Sequence, residues 1–196
     1  LEQTIRITTD AGTGATGSSV TGVQRRDYAA IKEISALATR LLAPSPRRAH
    51  GTHEEQPVLI RAAAGTGKTW SLRQLALLLA LELQKTGTQP VPLVPLLVPV
   101  QRLAVLMRGA SPAERNDDLV RFYIEKTYDG NDARLLLQAY ELRALVPLID
   151  GIDEGADLKG EIEDFVVKRL APAGLRAVLS SRPEGVNLGL YKEFVI

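Results

Sequence analysis

One short stretch combines residue types at a spacing that suits phosphate chemistry, and it contains Gly65, Gly67, Lys68 and Thr69. Backbone N–H groups that converge at a helix N-terminus can hold a phosphate chain, and the helix dipole there also favours anions. Glycine permits the backbone conformations that such a close approach needs. The Lys68 ammonium can reach the β- and γ-phosphates, and the Thr69 hydroxyl is placed to ligate Mg²⁺. The stretch therefore predicts a phosphate-binding loop.

The surroundings of this loop support that interpretation. An apolar run of strand length, 57–61, precedes it, and a leucine-rich helical pattern, 70–85, follows it. Ala62 occupies the position of the first glycine in the strict form of the pattern, so the match is to the relaxed form. We expect Trp70 to pack against the protein rather than to stack on a base. The residues assigned to cofactor binding are Ala64, Gly65, Thr66, Gly67, Lys68, Thr69 and Trp70.

A second group of chemical residues follows the apolar run 145–149, which ends in Asp150. Phosphate-loop enzymes place an acid beside the Mg²⁺-binding hydroxyl in this way, because strand C-termini meet at the same edge of a parallel sheet. We therefore expect Asp150 to serve the metal. Asp153 and Glu154 lie just beyond it, where a carboxylate could orient the attacking water. The alternative is a polar loop after a core strand.

Arg182 ends a third pattern, because it follows the short buried run 175–179 and two serines. A guanidinium at that position could reach a γ-phosphate and report whether it is present. The alternative is a surface arginine before a turn.

The elements that must position these residues alternate between buried apolar runs and helical patterns. The alternation predicts an α/β domain with a five-stranded, mainly parallel sheet and helices on both faces. Three prolines place the second strand at a sheet edge. The predicted strands lie near 57–61, 91–100, 144–150, 176–180 and 192–196. The predicted helices cover 28–42, 70–85, 112–126, a segment ending near 142, and 157–170.

The composition is that of a globular protein, with 196 residues, 45% hydrophobic content and 24% charged content. A net charge of +1 gives no reason to expect nucleic acid or a membrane surface as a partner. Zero cysteines fit a reducing compartment, so we expect a cytoplasmic, intracellular location. His50 and His53 lie in a predicted loop, where we expect solvated side chains rather than a metal site.

The domain organisation follows from the same patterns. Residues 1–56 form an N-terminal segment, with a short strand pattern in 1–9, a Gly/Ser/Thr-rich linker in 10–22 and a docking helix. Residues 57–196 form the nucleotide-binding domain. Because the chain begins on Leu1 and ends on an apolar run, we expect it to be a piece of a longer protein.

These motifs, in this order, resemble the NACHT domain of the STAND class of P-loop signal-transduction ATPases over about 57–196. The resemblance rests on Ala64-Gly65-Thr66-Gly67-Lys68-Thr69, on Asp150-Gly151-Ile152-Asp153-Glu154 and on Ser180-Ser181-Arg182-Pro183. AAA-type ATPases usually place Glu directly after the strand Asp, where this chain has Gly151. The resemblance implies a three-layer sandwich with strand order 5-1-4-3-2 and a regulated, switch-like ATPase.

The resemblance also implies roles for individual residues. Lys68 would contact the phosphates, Thr69 and Asp150 would hold Mg²⁺, and Arg182 would act as the sensor. Asp153 and Glu154 would lie near the hydrolytic water. The chain departs from the family pattern at Ala62, and it stops before the helical and winged-helix segments that close over the nucleotide in this family.

Two functions of different classes remain open. The first is an ATP-hydrolysing switch that uses ATP and Mg²⁺ and whose partners are other domains of its own chain and further copies of itself. The second is a nucleotide-holding scaffold with little or no turnover. The acids at Asp150, Asp153 and Glu154 favour the first, since a pure holder needs no carboxylate to position water. The lack of an Asn-Lys-x-Asp guanine-reading motif argues against a GTPase.

Overall fold

The computed structural model describes residues 6–8, 34–43, 56–61, 63, 65, 67–85, 92–115, 117–183, 186 and 188–195. The strands within these residues are Arg6–Thr8 (β1), Val58–Arg61 (β2), Val94–Pro99 (β3), Leu145–Asp150 (β4), Val178–Ser181 (β5) and Lys192–Val195 (β6). The α-helices there are Ile34–Leu42 (α1), Lys68–Leu83 (α2), Val100–Arg108 (α3), Pro112–Arg115 (α4), Leu119–Thr127 (α5), Gly130–Glu141 (α6) and Lys159–Phe165 (α7). Short 3-10 turns occur at Ile152–Glu154, Ala156–Leu158 and Leu188–Leu190, and a π-helical turn at Val166–Leu170 extends α7.

The described strands form one sheet in the order β1-β6-β2-β5-β4-β3. All neighbouring strands from β6 to β3 pair in parallel, and β1 pairs antiparallel with β6. The order of the whole sheet differs from the predicted 5-1-4-3-2, because β1 adds a sixth strand at one edge. The five parallel strands, counted by themselves in chain order, follow one another as 5-1-4-3-2. The predicted α/β class with a parallel sheet is confirmed.

The sheet is covered on both faces. Neighbouring side chains of a strand point to opposite sides of the sheet, so the clusters in which they pack show what covers each face. Val58 and Ile60 of β2 pack in one apolar cluster with leucines of α2 and the buried residues of α1. Leu59, between them, packs in a second cluster with residues of α3, α5 and α7. Every residue of β4 is buried, as expected for a central strand of a covered parallel sheet. This arrangement is consistent with three layers.

The edge position of β3 confirms the expectation drawn from its prolines. Pro95 and Pro99 lie opposite Val146 and Asp150 of β4, on the strand that has no second neighbour among the described strands. The strand is shorter than predicted, since the apolar run passes at Val100 directly into α3. Helix α3 was not predicted from the sequence, because its first residue continues the apolar pattern of the strand.

The predicted helix over 112–126 is wrong in one respect, because the chain divides it into α4 and α5. The capping box at its start is present, since Ser111 N–H donates to Glu114 Oε2 at 2.8 Å. A second start signal lies inside the segment, where Asp118 caps α5 by accepting from the Arg121 N–H at 3.0 Å. Asp117, just before it, has a positive φ of 52°. The new cap ends the first helix after one turn.

Helix α1 docks against α2 through its buried residues, among them Leu37 and Leu41. The Arg176 guanidinium, on the segment before β5, donates to the carbonyls of Leu41 and Ala43, the latter at 2.9 Å. A cation at a helix C-terminus interacts favourably with the helix dipole. The predicted linker 10–22, the start of the predicted helix over 28–33 and both histidines lie outside the described residues. No helix in the described part of the chain is both long enough and apolar enough to span a membrane.

Candidate functional site

The predicted phosphate-binding loop connects β2 to α2. Gly65 has φ of 75° and Gly67 has φ of 90°, so both adopt left-handed conformations that other residues reach only at a cost. Gly67 caps α2, and its carbonyl accepts from the Ser71 N–H at 2.8 Å. Ala62, Ala64 and Thr66 lie outside the described residues. The glycines thus turn the chain into a helix whose first N–H groups are available at the sheet edge.

Lys68 is the first residue of α2, and its ammonium lies over the loop. Its Nζ donates to the carbonyl of Ala63 at 3.1 Å, across five residues of the chain. Thr69 follows on the same helical turn with an exposed side chain. Trp70 is 56% exposed, so the expectation that it packs against the protein is wrong. An exposed tryptophan next to the loop leaves its side chain accessible to a ligand or a partner.

The topology brings the loop and the predicted acids to one edge of the sheet. Strand β5 lies between β2 and β4, and all three run parallel, so their carboxyl ends meet at the same edge. The predicted phosphate-binding loop leaves from the end of β2, the acids follow β4, and Arg182 follows β5. In parallel strands this edge is where ligands bind.

Asp150 is the last residue of β4 and is only 9% exposed. Its Oδ1 accepts a hydrogen bond from Ser180 Oγ at 2.6 Å. The same hydroxyl accepts from the Gly151 N–H at 2.8 Å, so its single proton is directed to the carboxylate. Ser180 is fully buried. The end of β5 therefore fixes the orientation of the Asp150 carboxylate.

The backbone geometry after Asp150 explains why the next residue, Gly151, is a glycine. Its φ is 80°, and a Cβ at this position would lie 2.8 Å from Glu154 Oε2. The Glu154 N–H donates to the Gly151 carbonyl at 2.8 Å, which closes a 3-10 turn. The glycine lets the chain reverse so that Glu154 folds back towards the end of β4.

Asp153 and Arg182 contact each other. Asp153 Oδ2 lies 2.9 Å from Arg182 Nε, and its Oδ1 accepts from the Arg182 backbone N–H at 3.1 Å. The Asp153 side chain is 12% exposed and that of Arg182 is 52% exposed. The sequence placed these two residues at the same edge of the sheet but did not predict this pair.

Glu154 differs from both aspartates in its surroundings. Its side chain is exposed, and no hydrogen bond or ion pair of its carboxylate occurs among the residues that the structure describes. The carboxylate is therefore accessible to water at the end of β4.

The residue types at this edge include ligands that Mg²⁺ takes when a phosphate chain supplies the others. Mg²⁺ is usually bound by one or two carboxylates together with waters and phosphate oxygens rather than by a cage of protein ligands. Asp150 and Thr69 offer one carboxylate and one hydroxyl. The described residues contain no group of three or more His, Cys, Asp or Glu side chains that could hold a metal by themselves.

Ser180 was not predicted as a site residue, although it lies within the Ser-Ser-Arg-Pro motif. A signal was present, since a serine at the end of a buried strand has to satisfy its hydroxyl. Its neighbour Ser181 is equally buried, but its Oγ has no hydrogen-bond partner among the described residues, so the sequence could not distinguish the two.

The sequence matches no protein-family model and shows no significant similarity to a curated protein.

Proposed function

We propose that this chain is an ATP-binding, Mg²⁺-dependent nucleoside-triphosphatase domain of the NACHT kind that acts as a regulated signalling switch. The observation that supports this most strongly is the placement of a buried, oriented carboxylate, Asp150, at the sheet edge from which the loop at Lys68 also leaves. A carboxylate that is desolvated needs a partner, and a divalent cation is one.

In this proposal the loop holds the triphosphate. The first N–H groups of α2 and the Lys68 ammonium contact the phosphate oxygens, with the helix dipole adding to the attraction. Thr69 and Asp150 would ligate Mg²⁺, which when bound neutralises negative charge on the phosphates. Trp70 lies on the first turn of α2 and is accessible beside the nucleotide.

Glu154 is the group that we assign to the hydrolytic water. Its exposed carboxylate can accept a proton as the water oxygen bonds to the γ-phosphorus and the bond to the bridging oxygen breaks, which releases ADP and phosphate. The Arg182 guanidinium would stabilise the charge on the γ-phosphoryl oxygens. Other domains of the same chain, and self-association, are the partners that we propose for such a switch.

A nucleotide-holding scaffold is the second candidate, and one observation favours it. Asp153 and Arg182 bind each other, so the presence of these two residues at the site does not by itself require that ATP is hydrolysed. Such a scaffold would bind ATP and Mg²⁺ through Lys68 and Asp150 but would release no phosphate.

Replacing Glu154 with Gln separates these two functions. Gln keeps the size and hydrogen bonding of Glu but lacks its charge, so Glu154→Gln should bind ATP with unchanged affinity while hydrolysis falls by about 100-fold or more. The measurement is ATP affinity and phosphate release by the full-length protein with Mg²⁺. Glu125→Gln, which alters an exposed acid on α5, is the matched control and should retain full turnover. Equal rates for wild type and Glu154→Gln would reject the enzyme and favour the scaffold.

A further inference from the structure

We propose that Asp153 is a positioning residue that holds Arg182 in place to detect a γ-phosphate, and that it does not activate water. This inference rests on the proposed function, because it gives one of the predicted catalytic acids a different role in the same site. It also provides a physical basis for distinguishing ATP from ADP.

Both oxygens of the Asp153 carboxylate are already engaged by one residue. Oδ1 accepts from the Arg182 backbone N–H at 3.1 Å, and Oδ2 lies 2.9 Å from Nε of the same side chain. With only 12% of its side chain exposed, this carboxylate has little contact with water. Taking a proton from water would remove the charge that binds the guanidinium, so the two roles conflict.

Among the described residues, the guanidinium of Arg182 is held through Nε, and its two terminal nitrogens are left for a second partner. Asp153 contacts it through Nε, and no hydrogen bond or ion pair of Nη1 or Nη2 occurs among the described residues. The side chain is 52% exposed. A planar guanidinium presents its donors as a rigid fork, so fixing Nε also fixes the direction of the two terminal nitrogens. Those nitrogens suit a second anion, and phosphoryl oxygens are typical partners.

The positions of Asp153 and Arg182 in the fold explain what the pair does. Asp153 lies in the 3-10 turn after β4, and Arg182 directly follows β5, so the pair ties the ends of two strands together at the site. The backbone contact fixes the turn, whereas the side-chain contact fixes the arginine. Glu154, with an exposed carboxylate, remains as the group for the water.

A function in detecting the γ-phosphate predicts a specific effect on binding. ADP lacks the group that Arg182 would contact, so removal of Asp153 should weaken ATP binding and leave ADP binding unchanged. Asp153→Asn is the informative variant, because its amide offers one acceptor oxygen and cannot hold both N–H donors of Arg182. Asn also keeps the side-chain volume, which favours a folded protein.

The experiment is a double-mutant cycle with binding of ATP and of ADP to the full-length protein, measured with Mg²⁺. Arg182→Ala and Asp153→Asn should each lower the ratio of ATP to ADP affinity, by about tenfold for one charge-assisted contact. The double variant should lose no more than Arg182→Ala alone, because Asp153 acts through the arginine. Asp157→Asn, which changes an exposed acid outside the proposed metal site, is the control and should keep the wild-type ratio.

Three results would overturn the inference. One is an unchanged affinity ratio in Asp153→Asn, and another is effects of the two substitutions that multiply in the double variant. The third is a loss of hydrolysis in Asp153→Asn, at saturating ATP, that exceeds the loss in Arg182→Ala, which would make Asp153 a base. All three leave the proposed function standing if the wild type binds ATP. A wild type that binds neither nucleotide would overturn both.

Discussion

The two halves of the candidate site are held in place by different means. In the loop between β2 and α2, backbone conformation at Gly65 and Gly67 fixes the chain, and Lys68 contacts the loop's own carbonyl at Ala63. At the ends of β4 and β5, hydrogen bonds from β5 and the residue after it hold both aspartates. Substitutions in the loop should therefore change mainly ligand binding, whereas substitutions at the strand ends should also change the free energy of unfolding.

The largest effect at the strand ends should come from Asp150→Asn. The loss of one charge-assisted contact to a metal-bound nucleotide should weaken Mg²⁺-dependent ATP binding by about 10- to 100-fold. Folding should survive, since the amide oxygen can still accept from Ser180. Titration with ATP in Mg²⁺ and in EDTA measures the effect, which should vanish in EDTA.

Asp157→Asn is the matched control for that substitution. Asp157 is an exposed acid in the same connection, and the hydrogen bond from Arg108 lowers its pKa below the ordinary value. It lies outside the proposed metal site, so its removal should leave Mg²⁺-dependent binding unchanged. Equal losses in the two variants would mean that general charge, rather than Asp150, supports binding.

A second prediction compares two adjacent buried serines on β5. Ser180→Ala should lower the free energy of unfolding by about 1–3 kcal/mol, because the Asp150 carboxylate and the Gly151 N–H both lose their partner. Ser181→Ala removes a buried hydroxyl that has no partner among the described residues, so it should leave the free energy of unfolding unchanged or raise it. Urea denaturation of both variants checks this. A similar loss in both would show that the hydrogen bonds at Ser180 contribute nothing.

The smallest effect is expected when one glycine from the loop is compared with one glycine from the strand ends. Gly151→Ala and Gly65→Ala both force a residue with a side chain into the left-handed region, at a cost of about 1–2 kcal/mol before the gain from a stiffer unfolded chain. Only Gly151 has a neighbour in the way, since Glu154 Oε2 would lie 2.8 Å from the new Cβ, whereas nothing among the described residues lies within 4 Å at Gly65. Thermal unfolding should show the larger loss of stability in Gly151→Ala. Gly65→Ala should mainly weaken ATP binding, whereas Gly151→Ala should lower phosphate release at saturating ATP, because Glu154 has to move. Unchanged phosphate release by Gly151→Ala at saturating ATP would contradict the position assigned to Glu154.

Much of the fold could be predicted from the sequence, because its strands are buried apolar runs bounded by clear chemical signals. The run before the loop and the run ending at Asp150 became β2 and β4, and their parallel arrangement follows from the helical patterns between them. The break between α4 and α5 was not predicted, since a one-turn helix and a second cap at Asp118 look like one continuous pattern.

The sequence predicted that the site residues lie at one edge of the sheet, but it did not predict the contacts between them. Residue types indicated that Asp150, Asp153 and Arg182 would meet at one edge. They could not show that Ser180 orients Asp150 or that Asp153 pairs with Arg182, because such contacts depend on the register of β4 against β5 and on the turn at Gly151. Trp70 was misjudged for a similar reason, since composition does not reveal which side of α2 is covered.

The proposed function is tested most directly by the affinity of the full-length protein for ATP with Mg²⁺, measured by calorimetry for wild type, Lys68→Ala and Lys85→Ala. Lys85, just past the end of α2, is an exposed lysine that pairs with Glu82, so it controls for the loss of a positive charge. We predict that a folded Lys68→Ala protein binds ATP more weakly by about 1.5–3 kcal/mol, the range for a hydrogen bond to a charged group, while Lys85→Ala binds as wild type does. A folded Lys68→Ala protein with wild-type affinity would show that the loop is not the phosphate-binding site.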